Sequence, residues 1–137
     1  MIYAVVDTNV IVSALLSRHS DAATVQILTA ISKTGIRPMY NEEIIEEYEE
    51  VLLRSKFRFP PRAIDSIIRK ILDIGVSSRR MFSPEYFPDP KDVIFYEVAL
   101  SRDDAYLVTG NKKHFPATPV VVTPAEMVEI LRREGVL

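Results

Sequence analysis

The chain has no cysteine, which excludes a disulfide framework, a thiolate metal site and a thiol nucleophile, and suits a reducing cytosol. It also lacks any uncharged apolar run approaching the roughly 18 residues of a membrane span. With a strand expected from residue 2, no leader peptide is expected, and the expected location is cytoplasmic with no membrane partner. No Gly-x-Gly-x-x-Gly or phosphate-loop sequence follows any expected strand, which disfavours a simple nucleotide-binding domain. No Gly-x-Ser-x-Gly elbow is present, so nucleophilic serine chemistry of that type is absent as well. Histidine is scarce: His19 and His114 stand far apart, which weighs against an imidazole-based site.

What is present fits one domain. A chain of 137 residues can bury a core without cross-links and leaves no room for a second domain, so residues 1–137 are read as a single unit. The apolar fraction of 47%, the charged fraction of 26% and a mean hydropathy near zero exclude disordered and fibrous classes. The net charge of −2 conceals a segregation of charge along the chain. Residues 41–50 carry six glutamates and no base, whereas residues 52–82 carry eight bases against Asp65 and Asp73. That asymmetry is the footprint of a polyanion binder with an acidic site. The plainer alternative is a solvated helical surface.

The residues Ile2-Tyr3-Ala4-Val5-Val6 are an unbroken apolar run, as expected of a strand buried on both faces of a parallel sheet. A short helix is expected over residues 10–16 and another over 22–33, capped by Ser20 or Asp21. A strand over 36–40 precedes a helix over 42–54 capped by Asn41, and Pro61 starts a helix over 62–73. A strand over 76–81, a surface loop over 83–90, a helix over 91–101, strands over 105–108 and 119–122, and a helix over 125–133 complete the layout. Alternating strands and helices imply a parallel sheet covered on both faces.

Acidic and amide side chains fall at the ends of these elements. Asp7 closes the first strand, Asp92 opens the helix after the long loop, and Asn111 follows the strand 105–108 through Thr109-Gly110. In open α/β sheets the working groups lie beyond the carboxyl ends of the strands. Asp7 could instead merely cap the following helix. Oxygen ligands gathered at one sheet edge suit Mg²⁺ or Mn²⁺, and repulsion among carboxylates favours a cation between them.

The stretches Val5-Val6-Asp7-Thr8-Asn9-Val10, Glu46-Glu47-Tyr48, Asp89-Pro90-Lys91-Asp92 and Leu107-Val108-Thr109-Gly110-Asn111-Lys112-Lys113-His114-Phe115 resemble the motifs of PIN-domain proteins, in the family's order and over nearly the whole chain. The branch resembled most is that of toxin components of toxin–antitoxin pairs, related to VapC-type ribonucleases. The resemblance implies a three-layer α/β/α Rossmann-like fold with a central, mostly parallel sheet of four to five strands. It further implies Mg²⁺- or Mn²⁺-dependent cleavage of single-stranded RNA. Carried over by motif, the metal-binding carboxylates are Asp7, Glu47 and Asp92, with Glu46 or Glu43 as alternatives to Glu47. The fourth catalytic position, often aspartate in the family, is Asn111, which removes a charge. Asp89, Thr8, Asn9 and Thr109 are expected to orient these groups.

The expected reaction is metal-assisted phosphodiester hydrolysis. Arg54, Lys56, Arg58, Arg79, Arg80, Lys112 and Lys113 are expected to hold the RNA backbone. An antitoxin protein and a homodimer or higher homo-oligomer are the other expected partnerships. Phe57 and Phe59 read as loop anchors more readily than as base-stacking groups. Two alternatives stand beside this reading. One is a weakened PIN-like module that binds RNA or protein without cutting, favoured by Asn111. The other is a haloacid-dehalogenase-like phosphatase, disfavoured because Asn9 occupies the place where that chemistry needs a second aspartate.

Overall fold

A computed structural model describes all residues 1–137. Five strands form one parallel sheet in the order β3-β2-β1-β4-β5, with β1 (Ile2–Val6) at its centre. The flanking strands are β2 (Ile36–Tyr40) and β4 (Tyr106–Val108), and the outer ones are β3 (Val76–Ser77) and β5 (Val121–Val122). Val5 and Val6 are almost wholly buried, as a strand covered on both faces requires.

Six helices make the outer layers. On one face α2 (Ala23–Ser32) packs against α1 (Thr8–Leu16), α4 (Pro61–Ile74) and α6 (Pro124–Arg133). On the other, α5 (Val93–Ala99) lies over β1, β2 and β4. The remaining helix, α3 (Glu42–Leu52), touches α1 and α4 as well as α5. Local chemistry sets several of these boundaries. Asn41 accepts a hydrogen bond from the Ile44 N–H, Pro61 stands in the first turn of α4, and Thr123 with Glu126 forms a reciprocal capping box on α6. A side chain at Gly75 would collide with the carbonyls of Ile71 and Pro38, so close packing of helix against strand requires glycine there.

Three expectations are corrected. Neither Ser20 nor Asp21 caps α2, which starts behind Ala22 without a side-chain cap. The expected strand over 76–81 stops at Ser77, because the chain is drawn towards α5: Met81 N–H donates to the Glu97 carbonyl and Ser83 N–H to its carboxylate. The expected helix over 91–101 divides into a 3-10 turn, Pro90–Asp92, and α5. In the loop before it Phe87 is buried edge-on against Tyr96 and Phe115, an anchor for a segment expected to run over the surface. No helix is long and apolar enough to cross a membrane.

Candidate active site

The strand order reverses direction at β1, where the chain first builds outward through β2 and β3 and later returns to β4 on the opposite side. A crevice opens beyond the carboxyl ends of the strands at such a switch point. Val6 pairs with Val108, so the residues immediately after them, Asp7 and Thr109, are neighbours. The Asp7 N–H donates to the Val108 carbonyl at 2.9 Å, and the Thr109 hydroxyl donates to Asp7 Oδ2 at 2.8 Å. Asn9 Oδ1 accepts from the Gly110 N–H at 3.2 Å and ties the two strand ends together a second time. A Cβ at Gly110 would meet Asn9 only at an ordinary 3.6 Å, so the space around this turn does not require glycine.

An open cleft of about 680 Å³ lies here, lined by Asp7, Thr8, Asn9, Glu47, Asp92, Asn111 and His114 on its polar side. Asp7 occupies the N-cap position of α1, yet its carboxylate makes no capping hydrogen bond. The Thr8 and Asn9 N–H groups still favour its anion, so the helix start is part of its setting beside the Thr109 bond. Glu47 is placed by its neighbour: Tyr48 is buried and its hydroxyl donates to the Val6 carbonyl, which pins α3 to the end of β1. That contact brings Glu47 to the cleft. Glu46 faces a separate groove with Tyr40 and Leu72, and Glu43 is paired with Arg80.

The carboxylates act on one another. Burial pushes the Asp7 carboxyl up to about 6, against the Thr109 hydrogen bond and with the help of the nearby Asp92 charge. Burial also raises Asp92, as do Asp89 and Glu47, while His114 opposes the shift. Glu47 is raised by burial, then by Glu50 and Asp7, with Lys91 and Arg54 working the other way. Each of the three is thus disfavoured as an anion by another of the three. Asp89 caps the turn ahead of Asp92 by accepting the Lys91 N–H at 3.0 Å, and from there its charge reaches Asp92.

His114, to which the sequence assigned no firm role, stands with Nδ1 3.4 Å from Asp92 Oδ2, and the Asn111 amide nitrogen lies 3.1–3.2 Å from its ring nitrogens. His19 lies outside the cleft. The 3-10 turn Lys112–His114 delivers His114, a placement that spacing alone does not reveal. Phe57 also lines the cleft, with Val12, Leu16 and Val51. Among the expected RNA-binding bases, Arg54, Lys56, Arg58, Arg79 and Lys113 are exposed and make no ion pair. Lys112 pairs with Glu126, and Arg80 is held between Glu43 and Glu97.

The family model of the PIN domain matches residues 3–113, and the chain belongs to that family. No curated protein matches it significantly. PIN domains are generally nucleases, and those nucleases usually use divalent metal ions.

Two features of the cleft fit such an ion. Thr8 Oγ1 is a buried oxygen without a hydrogen-bond partner, Asp92 Oδ2 is buried with only the His114 ring at 3.4 Å, and the donor set is carboxylate, hydroxyl and amide oxygen. The carboxylates do not by themselves form a cage, since no three Asp, Glu or His side chains group closely enough to hold an ion. That suits Mg²⁺, which commonly binds through one or two carboxylates and keeps several waters.

Proposed function

We propose that this chain is a Mg²⁺- or Mn²⁺-dependent endoribonuclease that hydrolyses phosphodiester bonds in single-stranded RNA, acting in the cytoplasm as the toxin of a toxin–antitoxin pair. The observation that carries the reading is the gathering of Asp7, Asp92 and Glu47 in one cleft at the sheet's switch point, where burial first and one another's charge second disfavour their ionisation. Those three residues would hold the ion, one or two of them directly and the rest through its waters, and when bound it would supply charge neutralisation at the phosphate and an acidified water. Thr109 fixes the Asp7 carboxylate, and Tyr48 fixes the helix turn that bears Glu47. The exposed bases Arg54, Lys56, Arg58, Arg79 and Lys113 supply positive charge for the flanking backbone. A cognate antitoxin and a second copy of the chain are the protein partners in this proposal; light scattering of the purified chain checks the second.

One observation favours a second reading, a module that binds RNA without cutting. The carboxylates form no ready-made cage, and neutral Asn111 stands where the family often has aspartate. Incubating the protein with single-stranded RNA and Mg²⁺, Mn²⁺ or EDTA separates the two. Metal-dependent fragments support the nuclease, and intact RNA retained by the protein supports the binder.

Two further results are expected. Glu47→Gln should weaken Mn²⁺ binding by about tenfold or more in calorimetry, whereas Glu46→Gln, facing its own groove, should leave it unchanged. Equal losses in both would reject Glu47 as the ligand from α3. Lys113→Ala should flatten the plot of log affinity against log salt by about 0.7, the loss of one single-strand phosphate contact. An unchanged slope would make Lys113 a solvated surface charge.

A further inference from the structure

The cleft has two chemically different walls, and phosphate chemistry uses only one of them. Along α1 the cleft is lined by Thr8 and Asn9 near the carboxylates and, one to two turns further on, by Val12 and Leu16 with the small hydroxyls Ser13 and Ser17 beside them. Along α3, Glu47 is followed one turn later by Val51. Both helices therefore present a polar group beside the carboxylate cluster and an apolar group one turn, about 5.4 Å, further along. Phe57 stands with these apolar residues. Leu16 is left 55% exposed, a large apolar side chain at the mouth of a site full of charge.

Phe57 is also held in place. Its ring stacks on Phe59 at 5.2 Å with only 7° between the planes, and Phe59 packs against the core. Arg58 between them has φ of 54°, in the left-handed region that a non-glycine residue rarely occupies. Such backbone persists where surrounding contacts over-determine it, and it clusters at ligand-binding places. Lys56 Nζ lies 5.1 Å from the Phe57 ring centre, so a cation accompanies the aromatic face.

We propose that Phe57, with Val12, Leu16 and Val51, forms a subsite for one unstacked nucleobase of the RNA strand, adjacent to the phosphate engaged by the carboxylates. The inference rests on the nuclease reading and names how that site recognises its substrate. An aromatic ring, an apolar floor and a nearby ammonium match a base attached to a phosphate backbone, because every base offers a flat π-face and every linkage a negative charge. A base within a duplex is stacked on its neighbours, so only a single strand can present one to Phe57. The subsite thus supplies selectivity for single strands without reading sequence.

The protein has no tryptophan, so Phe57→Trp introduces a single indole as reporter. In EDTA, where no cleavage occurs, this variant is titrated with a single-stranded oligoribonucleotide, with an abasic strand of the same length and with a duplex. The expected result is quenching by the single strand alone, with affinity about tenfold above that for the abasic strand. Phe57→Leu, which keeps apolar bulk without an aromatic face, should lose that tenfold preference, raise KM in the metal-loaded reaction and keep the salt slope unchanged. Equal binding of intact and abasic strands without quenching overturns the subsite, even if metal-dependent cleavage is found. Base-dependent quenching without cleavage under any metal overturns the nuclease reading and leaves the subsite standing.

Discussion

Asp7→Asn is expected to lower RNA cleavage by about a thousandfold or more while making the metal-free protein more stable at neutral pH. The first effect follows from removing a charge that the proposed ion requires. The second follows from burial: Asp7 is 7% exposed, and desolvation pushes its carboxyl up to about 6 from the ordinary 3.8. A folded-state value above the unfolded one means that protonation favours the fold. The benefit is fully present below about pH 4 and is lost as pH rises through 6. Above that, the ionised carboxylate costs the fold about 3 kcal/mol. Asparagine keeps the shape and still accepts the Thr109 hydroxyl, so the variant should gain about 2–3 kcal/mol at pH 7.5 in EDTA and nothing at pH 4. Urea titrations across that range measure it. Mn²⁺ should then stabilise the wild type and not the variant. A variant no more stable than wild type at pH 7.5 would mean that Asp7 is not strained by its setting.

Arg80→Ala should be the most damaging single replacement of a surface base. Glu97 is 5% exposed, and its carboxylate is satisfied by Arg80 Nε at 2.9 Å, Arg80 Nη2 at 2.8 Å and the Ser83 N–H at 2.8 Å. Without Arg80 a buried carboxylate keeps only one donor. Breaking a buried pair from one side costs about 3–5 kcal/mol. Because the Arg80 side chain is 35% exposed and water can partly replace it, about 2–4 kcal/mol is expected. At roughly 4 °C per kcal/mol for a chain of this size, Tm should fall by about 8–16 °C. Adding Glu97→Gln should recover part of the loss, since it removes the orphaned charge. Arg79→Ala, exposed and unpaired, should leave Tm within about 2 °C. A small loss in Arg80→Ala, or no recovery in the double variant, would show that Glu97 does not depend on Arg80.

Arg80 also has a structural consequence for the site. Through Glu43 it reaches α3 one turn before Glu47, and through Glu97 it reaches α5, whose N-terminus carries Asp92. One guanidinium spans the two elements that bring carboxylates to Asp7. A polyanion approaching Arg80 meets a cation already matched by two carboxylates, unlike Arg79 or Lys113.

Much of this fold is written locally. The unbroken apolar run of β1, the Asn41 cap, Pro61 at the head of α4 and the Thr123-Pro124 start of α6 are decided by residues within a few positions of one another. That is why these features can be read without coordinates. Asp7, Asp92 and Asn111 were legible for the same reason: each sits beside an element boundary, and boundaries of parallel strands share one edge.

Other features depend on partners far along the chain. The glutamates of α3 are equivalent in composition, and only the long-range bond from Tyr48 to Val6 selects Glu47 for the cleft. The early end of β3 is imposed by Glu97, 20 residues after Ser77, and no propensity within residues 76–81 records it. His114 and Phe57 enter the cleft through a 3-10 turn and a left-handed Arg58, conformations that residue type does not announce. The sequence by itself determined the strand–helix rhythm, the parallel sheet and the acidic strand ends, because periodicity and capping act over one or two turns. Only tertiary structure decided which carboxylates meet, which base is spent on an internal ion pair and which aromatic ring faces the site, because those outcomes depend on contacts between residues tens of positions apart.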